Sequence, residues 1–209
     1  LDKESLVIKR PFRSPHHTTS HIGLIGGSNI PRPGEISLAH RGVLFLDEFP
    51  EFPRHVLEAM RQPMEDGFVT ISRASGRITF PAKFIMVAAQ NPCPCGYLGD
   101  PKHECRCTTS EILRYQKKIS GPILDRIDIH LDVPAVKTDK LILDKSTSGP
   151  SSLEIRKRVQ RARDLQTRRF KKDKIISNSE MTTRAIKKYC QISPESLEIL
   201  KLAVNKLNL

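Results

Sequence analysis

Residues 42–49 read GVLFLDEF: a glycine, four apolar residues, then two carboxylates before a phenylalanine. The apolar run mixes a β-branched residue, an aromatic and two leucines, and it is too short for a buried helix. It lacks the apolar–polar alternation of a half-wet strand, so it reads as a buried strand of a parallel sheet. In open α/β sheets, ligands bind beyond the carboxyl ends of the strands. Asp47 and Glu48 stand at that end, although a structural strand finishing in solvated acids would look the same in isolation.

Outward from this strand the elements alternate. In PRHVLEAMRQPMEDG (53–67), Val56, Leu57, Met60 and Met64 fall at helical spacing, with Pro53 in the first turn and Gly67 as the terminator. The next stretch, 68–92, holds two alternating segments about Ser75–Gly76, a hairpin signal, and then FIMVAA, a second buried strand. SEILRYQKKIS (110–120) reads as a helix capped by Ser110, and DIHLDVP (128–134) as a third strand closed by Pro134. The first forty residues are rich in Pro, Gly, His and Ser and imply loops with short helical or strand pieces. Past Pro134 a Ser/Thr/Gly/Pro-rich linker (135–152) leads to a segment, 153–209, that is mainly helical in two or three amphipathic pieces. The expected architecture is an incomplete α/β core over 1–134 followed by a small helical domain.

Three polar positions follow strands in a fixed order. Asp47 and Glu48 close the first, Asn91 closes the second (FIMVAAQNP), and Arg126 in GPILDRIDI precedes the third, all within about eighty residues. In P-loop ATPases an Asp at the first position holds magnesium and a neighbouring acid orients the attacking water. An amide at the second position would reach a γ-phosphate or position that water.

This set resembles the AAA+ ATPases, in the clade that holds the magnesium chelatase subunits and the MCM helicases. RPFRSPHHTTS, PRPGEISLAHRGVLFLDEFPEF, LEAMRQPMEDG, FPAKFIMVAAQNPCPCGY and ILDRIDIHLDVP are similar to the magnesium-chelatase-like ComM/YifB family nearly end to end. The resemblance implies a P-loop NTPase core with inserted β-hairpins and a helical lid domain. It implies that Asp47 and Glu48 are the Walker B acids, Asn91 the first sensor residue, and Arg126 an arginine finger acting on a neighbouring subunit's ATP. The hairpin from Ser72 to Thr79 would point into the channel of a ring, and the loop from Ile22 to His40 would be the insert that marks the clade. The implied cofactors are ATP and Mg2+, the implied assembly a cytoplasmic hexameric ring, and the implied activity DNA branch migration.

No G-x-x-x-x-G-K-[ST] occurs in the chain; GLIGGSN (23–29) has the glycines without the lysine. The family carries its phosphate loop upstream of RPFRSPHH, and this chain stops where the family continues into the second sensor arginine. The start also lacks a methionine and the zones of a signal peptide. The expectation is a fragment that hydrolyses no ATP alone and is a monomer or weak oligomer.

Four of the five cysteines occupy fifteen residues, Cys93, Cys95, Cys105 and Cys107, with nine residues between the pairs. Four thiolates enclose a tetrahedral structural zinc with no open position for water. Paired zinc ligands usually have two residues between them, and here there is one, so reduced thiols and disulfides remain open; His103 would be an alternative ligand. Clustering without an export signal points to a reducing cytosol. Cys190 reads as a buried core thiol, and the adjacent His16 and His17 as residues that orient a loop or a subunit contact.

The net charge of +12 favours polyanionic partners. Ten Lys/Arg against two Asp lie between Arg156 and Lys174, which fits either a solvated helix face or sequence-independent contact with nucleic-acid phosphates. No apolar run approaches the roughly 20 residues of a membrane span. A non-catalytic, zinc-stabilised module that binds nucleic acid or protein is the alternative to the motor reading.

Overall fold

The computed structural model describes residues 9–73, 76–134 and 149–207. Ser75 of the expected turn, most of the expected linker and the first eight residues lie outside them. The chain divides into two compact units, one ending at Ala135 and the other beginning at Val136.

The first unit is built on a three-stranded parallel sheet in the order β1 (Phe12–Arg13), β4 (Val43–Leu46), β7 (Ile85–Ala88), with the GVLFLDEF strand in the centre. Entry into β4 demands glycine. A Cβ on Gly42 would sit 1.9 Å from the Pro11 carbonyl oxygen, because the next amide, Val43 N–H, donates to that oxygen at 2.9 Å. Leu44 and Leu46 are fully buried on one face, against Leu24, Ile36, Val56, Leu57 and Ile123.

The other face is different. Register pairs Phe12 with Val43, Val43 with Ile85 and Phe45 with Val87, and Ile85 and Val87 are 66% and 44% exposed. The second strand is therefore covered on one face only among the described residues. Phe12 and Phe45 stack on the open side, ring centroids 6.3 Å apart.

Between β1 and β4 lie α1 (His21–Ile25), a short antiparallel pair β2 (Gly26–Gly27) and β3 (Arg32–Pro33), and α2 (Glu35–Leu38). The helix expected after β4 is two, α3 (Arg54–Ala59) and α4 (Arg61–Asp66), broken at Met60. Pro63 accounts for the break, since it has no N–H to donate to Ala59 and is tolerated only in the first turn of a new helix. The hairpin forms as expected, β5 (Phe68–Arg73) with β6 (Gly76–Pro81), six residue pairs in antiparallel register. Val69 and Ile71 face the core while Ile78 is exposed.

Two expectations fail at local level. Helix α5 (Thr109–Gln116) is capped by Thr108, not Ser110, in a reciprocal capping box with Glu111; the Thr108-x-x-Glu111 pattern was there to be read. After α6 (Gly121–Leu124) the DIHLDVP segment forms no strand, and Val133 is 90% exposed. A strand needs a hydrogen-bonded neighbour, and among the described residues none lies beside it.

The second unit comprises α7 (Ser152–Arg169), α8 (Thr183–Tyr189) and α9 (Pro194–Leu207). Its core is small: Phe170 and Ala185 are buried, and Tyr189 meets Phe170 edge-on with centroids 5.2 Å apart. The Tyr189 hydroxyl and the Lys188 ammonium both donate to Asp173 and hold that carboxyl below its usual range. Cys190 is exposed, contrary to the core reading; it lies at the end of α8, just past Tyr189. Helix α7 buries no residue, so its basic run is displayed to solvent.

Candidate nucleotide site and cysteine cluster

Asp47 and Glu48 leave the sheet at the carboxyl end of β4, both exposed. The strand ends are stitched there: Ala89 N–H donates to the Leu46 carbonyl, and Phe49 N–H donates to the Ala89 carbonyl, each at 2.9 Å. Asp47 Oδ1 accepts the Glu48 backbone N–H at 2.9 Å. Glu48 itself takes a left-handed conformation, φ 50°, as the chain turns into a 3₁₀ turn at Phe49–Glu51 whose first two residues are buried. A bulky residue at positive φ is held there only where the surroundings over-determine it. Here the buried Phe49 and its bond to β7 do so.

The Glu48 carboxylate is partnered. His17 Nδ1 lies 2.8 Å from Glu48 Oε2, and the His17 ring meets Phe52 edge-on, centroids 6.4 Å apart. His16 tilts against His17 at 4.0 Å and its Nδ1 shares a hydrogen bond with the Thr18 hydroxyl at 2.9 Å. His17 thus orients more than a loop. No local signal marked it: the contact follows from the parallel pairing of β1 with β4, which brings residues past β1 to the same sheet edge as Asp47 and Glu48.

Asn91 follows β7 by three residues and is exposed. Its backbone lies by the hydroxyl of Tyr115, a buried residue of α5, and acts to lower that phenol. Burial and the Glu51 charge nevertheless raise the Tyr115 phenol above its usual range. At the far end of α5, Lys118 Nζ reaches Glu51 Oε2 at 2.9 Å. Asp47 and Glu48 thus follow the carboxyl end of β4, and Asn91 that of the adjacent parallel strand β7.

Arg126 stands elsewhere. It follows α6, pairs with Glu65 of α4 and donates to the Pro122 carbonyl. Its Nε is buried without a hydrogen-bond partner among the described residues. The arginine lines a groove of about 490 Å³ with His21, Glu58, Arg61 and Glu65, to which neither Asp47 nor Asn91 contributes.

The cysteine loop brings its four thiols into contact. Cys93 and Cys95 sulfurs are 3.4 Å apart, Cys93 and Cys105 3.7 Å, and Cys95 and Cys105 3.6 Å. These three and Cys107 lie within 4.8 Å of one another. Four sulfurs each about 2.3 Å from one ion stand about 3.8 Å apart, whereas a disulfide requires about 2.05 Å. The cysteines are free thiols at metal-cage spacing. Gly96 carries φ 83°, a left-handed turn that lets the chain double back after Cys95. His103 is engaged with Asp100 (Nδ1–Oδ1 3.4 Å) and packs on Tyr97, so it is not part of this sulfur set.

The cluster is electrostatically loaded. Hydrogen bonds, first from the Tyr97 backbone and then from Arg106 and the neighbouring thiols, bring the Cys95 thiol down to about 6. The Cys107 thiol receives a lowering bond from the Cys95 backbone, but desolvation and the three other sulfurs outweigh it and push it up to about 12. One thiolate forms easily and the last is resisted by the others, a donor set that a divalent cation would relieve.

Residues 1–141 match the family model described as magnesium chelatase, subunit ChlI, and residues 149–209 match that of the ChlI C-terminal region. The chain is 43% identical to competence protein ComM of Haemophilus influenzae over 96% of its length and 38% of that protein's. It is 46% identical to the uncharacterized protein YifB of Salmonella typhimurium over 87% of this chain and 35% of that one. A crystal structure of NtrX from Brucella abortus in complex with ADP overlaps 59% of this chain and 25% of its own, with a TM-score of 0.39 and 18% identity. That overlap is too loose to bear on fold or ligand. Fold, sheet-edge acids and family models define the class: a magnesium-chelatase-type AAA+ ATPase family. Within that class, the chain belongs to the ComM/YifB family, and it spans less than two fifths of the length of those two relatives.

Proposed function

We propose that this chain is the acid-strand, sensor and finger portion of an ATP-driven ring motor that acts on DNA. The reading is supported by Asp47 and Glu48 following one, and Asn91 the other, of two adjacent parallel strands at their carboxyl ends, in a chain 43% identical to ComM. The exposed carboxylates suit a hydrated divalent ion and a nucleotide. Asp47 holds magnesium, which neutralises the charge developing on the phosphates when MgATP is bound. Glu48 orients the attacking water once released from His17, and Asn91 faces the γ-phosphate. Arg126 serves a neighbouring subunit's ATP, which requires it to leave Glu65.

In this reading 1–134 is part of the α/β core, 135–152 a linker and 153–209 a helical lid. A hexamer forms in the longer, cytoplasmic protein, with the β5–β6 hairpin toward its channel. The basic face of α7 meets DNA phosphates without regard to sequence, and the activity is remodelling of the branch-migration type. Zinc occupies the cysteine cluster as a structural cofactor. Without a phosphate-gripping lysine loop, this chain alone turns over no ATP. The zinc-stabilised binding module stays as the second reading, favoured by the sulfur cage and by the solvent-displayed basic helix.

The test compares this chain with one extended to include a G-x-x-x-x-G-K-[ST] loop. The extended chain hydrolyses ATP and assembles with nucleotide, and Glu48→Gln and Arg126→Ala each reduce turnover at least about 10²-fold. An extended chain that stays silent with and without DNA overturns the motor reading in favour of the module.

A further inference from the structure

The fifteen-residue cysteine loop has almost no core of its own. Cys93 is its one buried residue, 0% exposed, while Tyr97 and Leu98 face solvent. Apolar burial therefore does not explain why Cys105 and Cys107 return to Cys93 and Cys95, so that all four sulfurs lie within 4.8 Å of one another. In small loops of this kind the free energy of metal binding is free energy of folding.

The loop also sits at a junction. On its entry side Cys93 is two residues from Asn91. On its exit side Cys107 is followed at once by Thr108, the cap of α5. That helix carries the buried Tyr115 and is followed by Lys118, which reaches Glu51, and by Ile119, buried in the same core as the acid strand. The contacts close a circuit: β4, the Glu48–Glu51 turn, Lys118, α5, the sulfur cage, Asn91, β7 and back to β4.

We infer that zinc held by Cys93, Cys95, Cys105 and Cys107 is a positioning element for Asn91: the ion closes the frame that fixes this amide against Asp47 and Glu48. The inference rests on the reading of Asn91 as a nucleotide-facing residue. The ion contributes no open coordination position and takes no part in chemistry. It acts through the rigidity of the segment on either side of its ligands.

The experiment uses this chain first and needs no nucleotide. After expression in zinc-replete medium, metal analysis reads one zinc per chain, and replacement by cobalt gives the thiolate charge-transfer absorption of a four-sulfur site. Stripping the metal, or Cys105→Ser, accelerates amide exchange at residues 89–93 and 108–116 by about tenfold or more, while amides of the 68–73 and 76–81 strands keep their rates. Cys105→His, which keeps a zinc ligand, restores protection. In the extended chain, Cys105→Ser lowers kcat by about 10²-fold with little change in KM for ATP, and Cys105→His recovers it. Two results overturn the inference: no zinc in the purified chain, or zinc present with exchange changes confined to 94–107. A silent extended chain with zinc-dependent protection at Asn91 would instead remove the motor reading and leave the zinc frame standing.

Discussion

The acid pair and the cysteine loop leave the ends of neighbouring strands, yet they are held by opposite means. Asp47 and Glu48 are carried on a strand whose Leu44 and Leu46 are wholly buried, and the turn that follows is anchored by Phe49 in the same core. The cysteine loop buries one residue and relies on sulfur geometry and on its flanks. The acids are thus tied to the core of the unit, and on the zinc-frame proposal the loop and Asn91 beside it open without unfolding the sheet. On the same proposal, a site built across that divide would have one rigid wall and one wall that depends on zinc.

The comparison is broken most forcefully at the core. Leu46→Ala removes a fully buried side chain beneath the acids and costs about 2–5 kcal/mol, measured as a lowered urea midpoint. If the two regions are held independently, zinc content per folded chain stays unchanged in that variant. A coupled loss of zinc under native conditions would show that the loop leans on the core after all.

A smaller effect tests the exit side of the loop. Thr108→Ala removes the hydroxyl that accepts the Glu111 N–H at 3.3 Å and costs about 1 kcal/mol, read from the same denaturation curves. The Glu111 carboxyl accepts the Thr108 backbone N–H and hydroxyl, at 2.8 and 2.9 Å, and these bonds hold it below the usual carboxylate range. A depressed folded value means that this contribution is complete above the unfolded pKa and is lost as pH falls through the folded one. The penalty of Thr108→Ala accordingly shrinks in acid.

The smallest expected change is at the other end of α5. Lys118→Ala deletes an exposed ion pair to Glu51 and costs no more than about 1 kcal/mol, while exchange at Asn91 rises measurably because one link of the frame is gone. A Lys118→Ala chain with unaltered exchange would reduce the frame to the sulfur cage and Tyr115.

Much of this was legible in the sequence where a single local signal sufficed. The β4 strand, the β5–β6 hairpin and the clustering of four thiols follow from short patterns whose physics is local: apolar runs, alternation about a turn, and ligand spacing. The breaks come where a partner decides. FIMVAA is a strand, yet its Ile85–Val87 face is bare, because a strand's burial depends on what packs against it. DIHLDVP has the same apolar character and forms no strand, having no hydrogen-bonded neighbour among the described residues. Cys190 looked like a core thiol on apolar neighbours alone and lies outside.

The candidate site divides along the same line. Asp47, Glu48, Asn91, Arg126 and the four cysteines could be nominated from residue type and order, since carboxylates and an amide at strand ends and paired thiols carry their chemistry in their spacing. That His17 takes the Glu48 carboxylate, that Glu65 takes Arg126, and that Tyr115 of α5 lies by the Asn91 backbone could not. These pairs are separated by 31, 61 and 24 residues, and one sequence records no distance between them. By itself the sequence determined which groups are present and which local elements carry them, because propensity and periodicity act over a few residues. Only the tertiary structure decided which groups meet, because the parallel order of β1, β4 and β7 and the packing beneath them bring distant chain segments to a common edge.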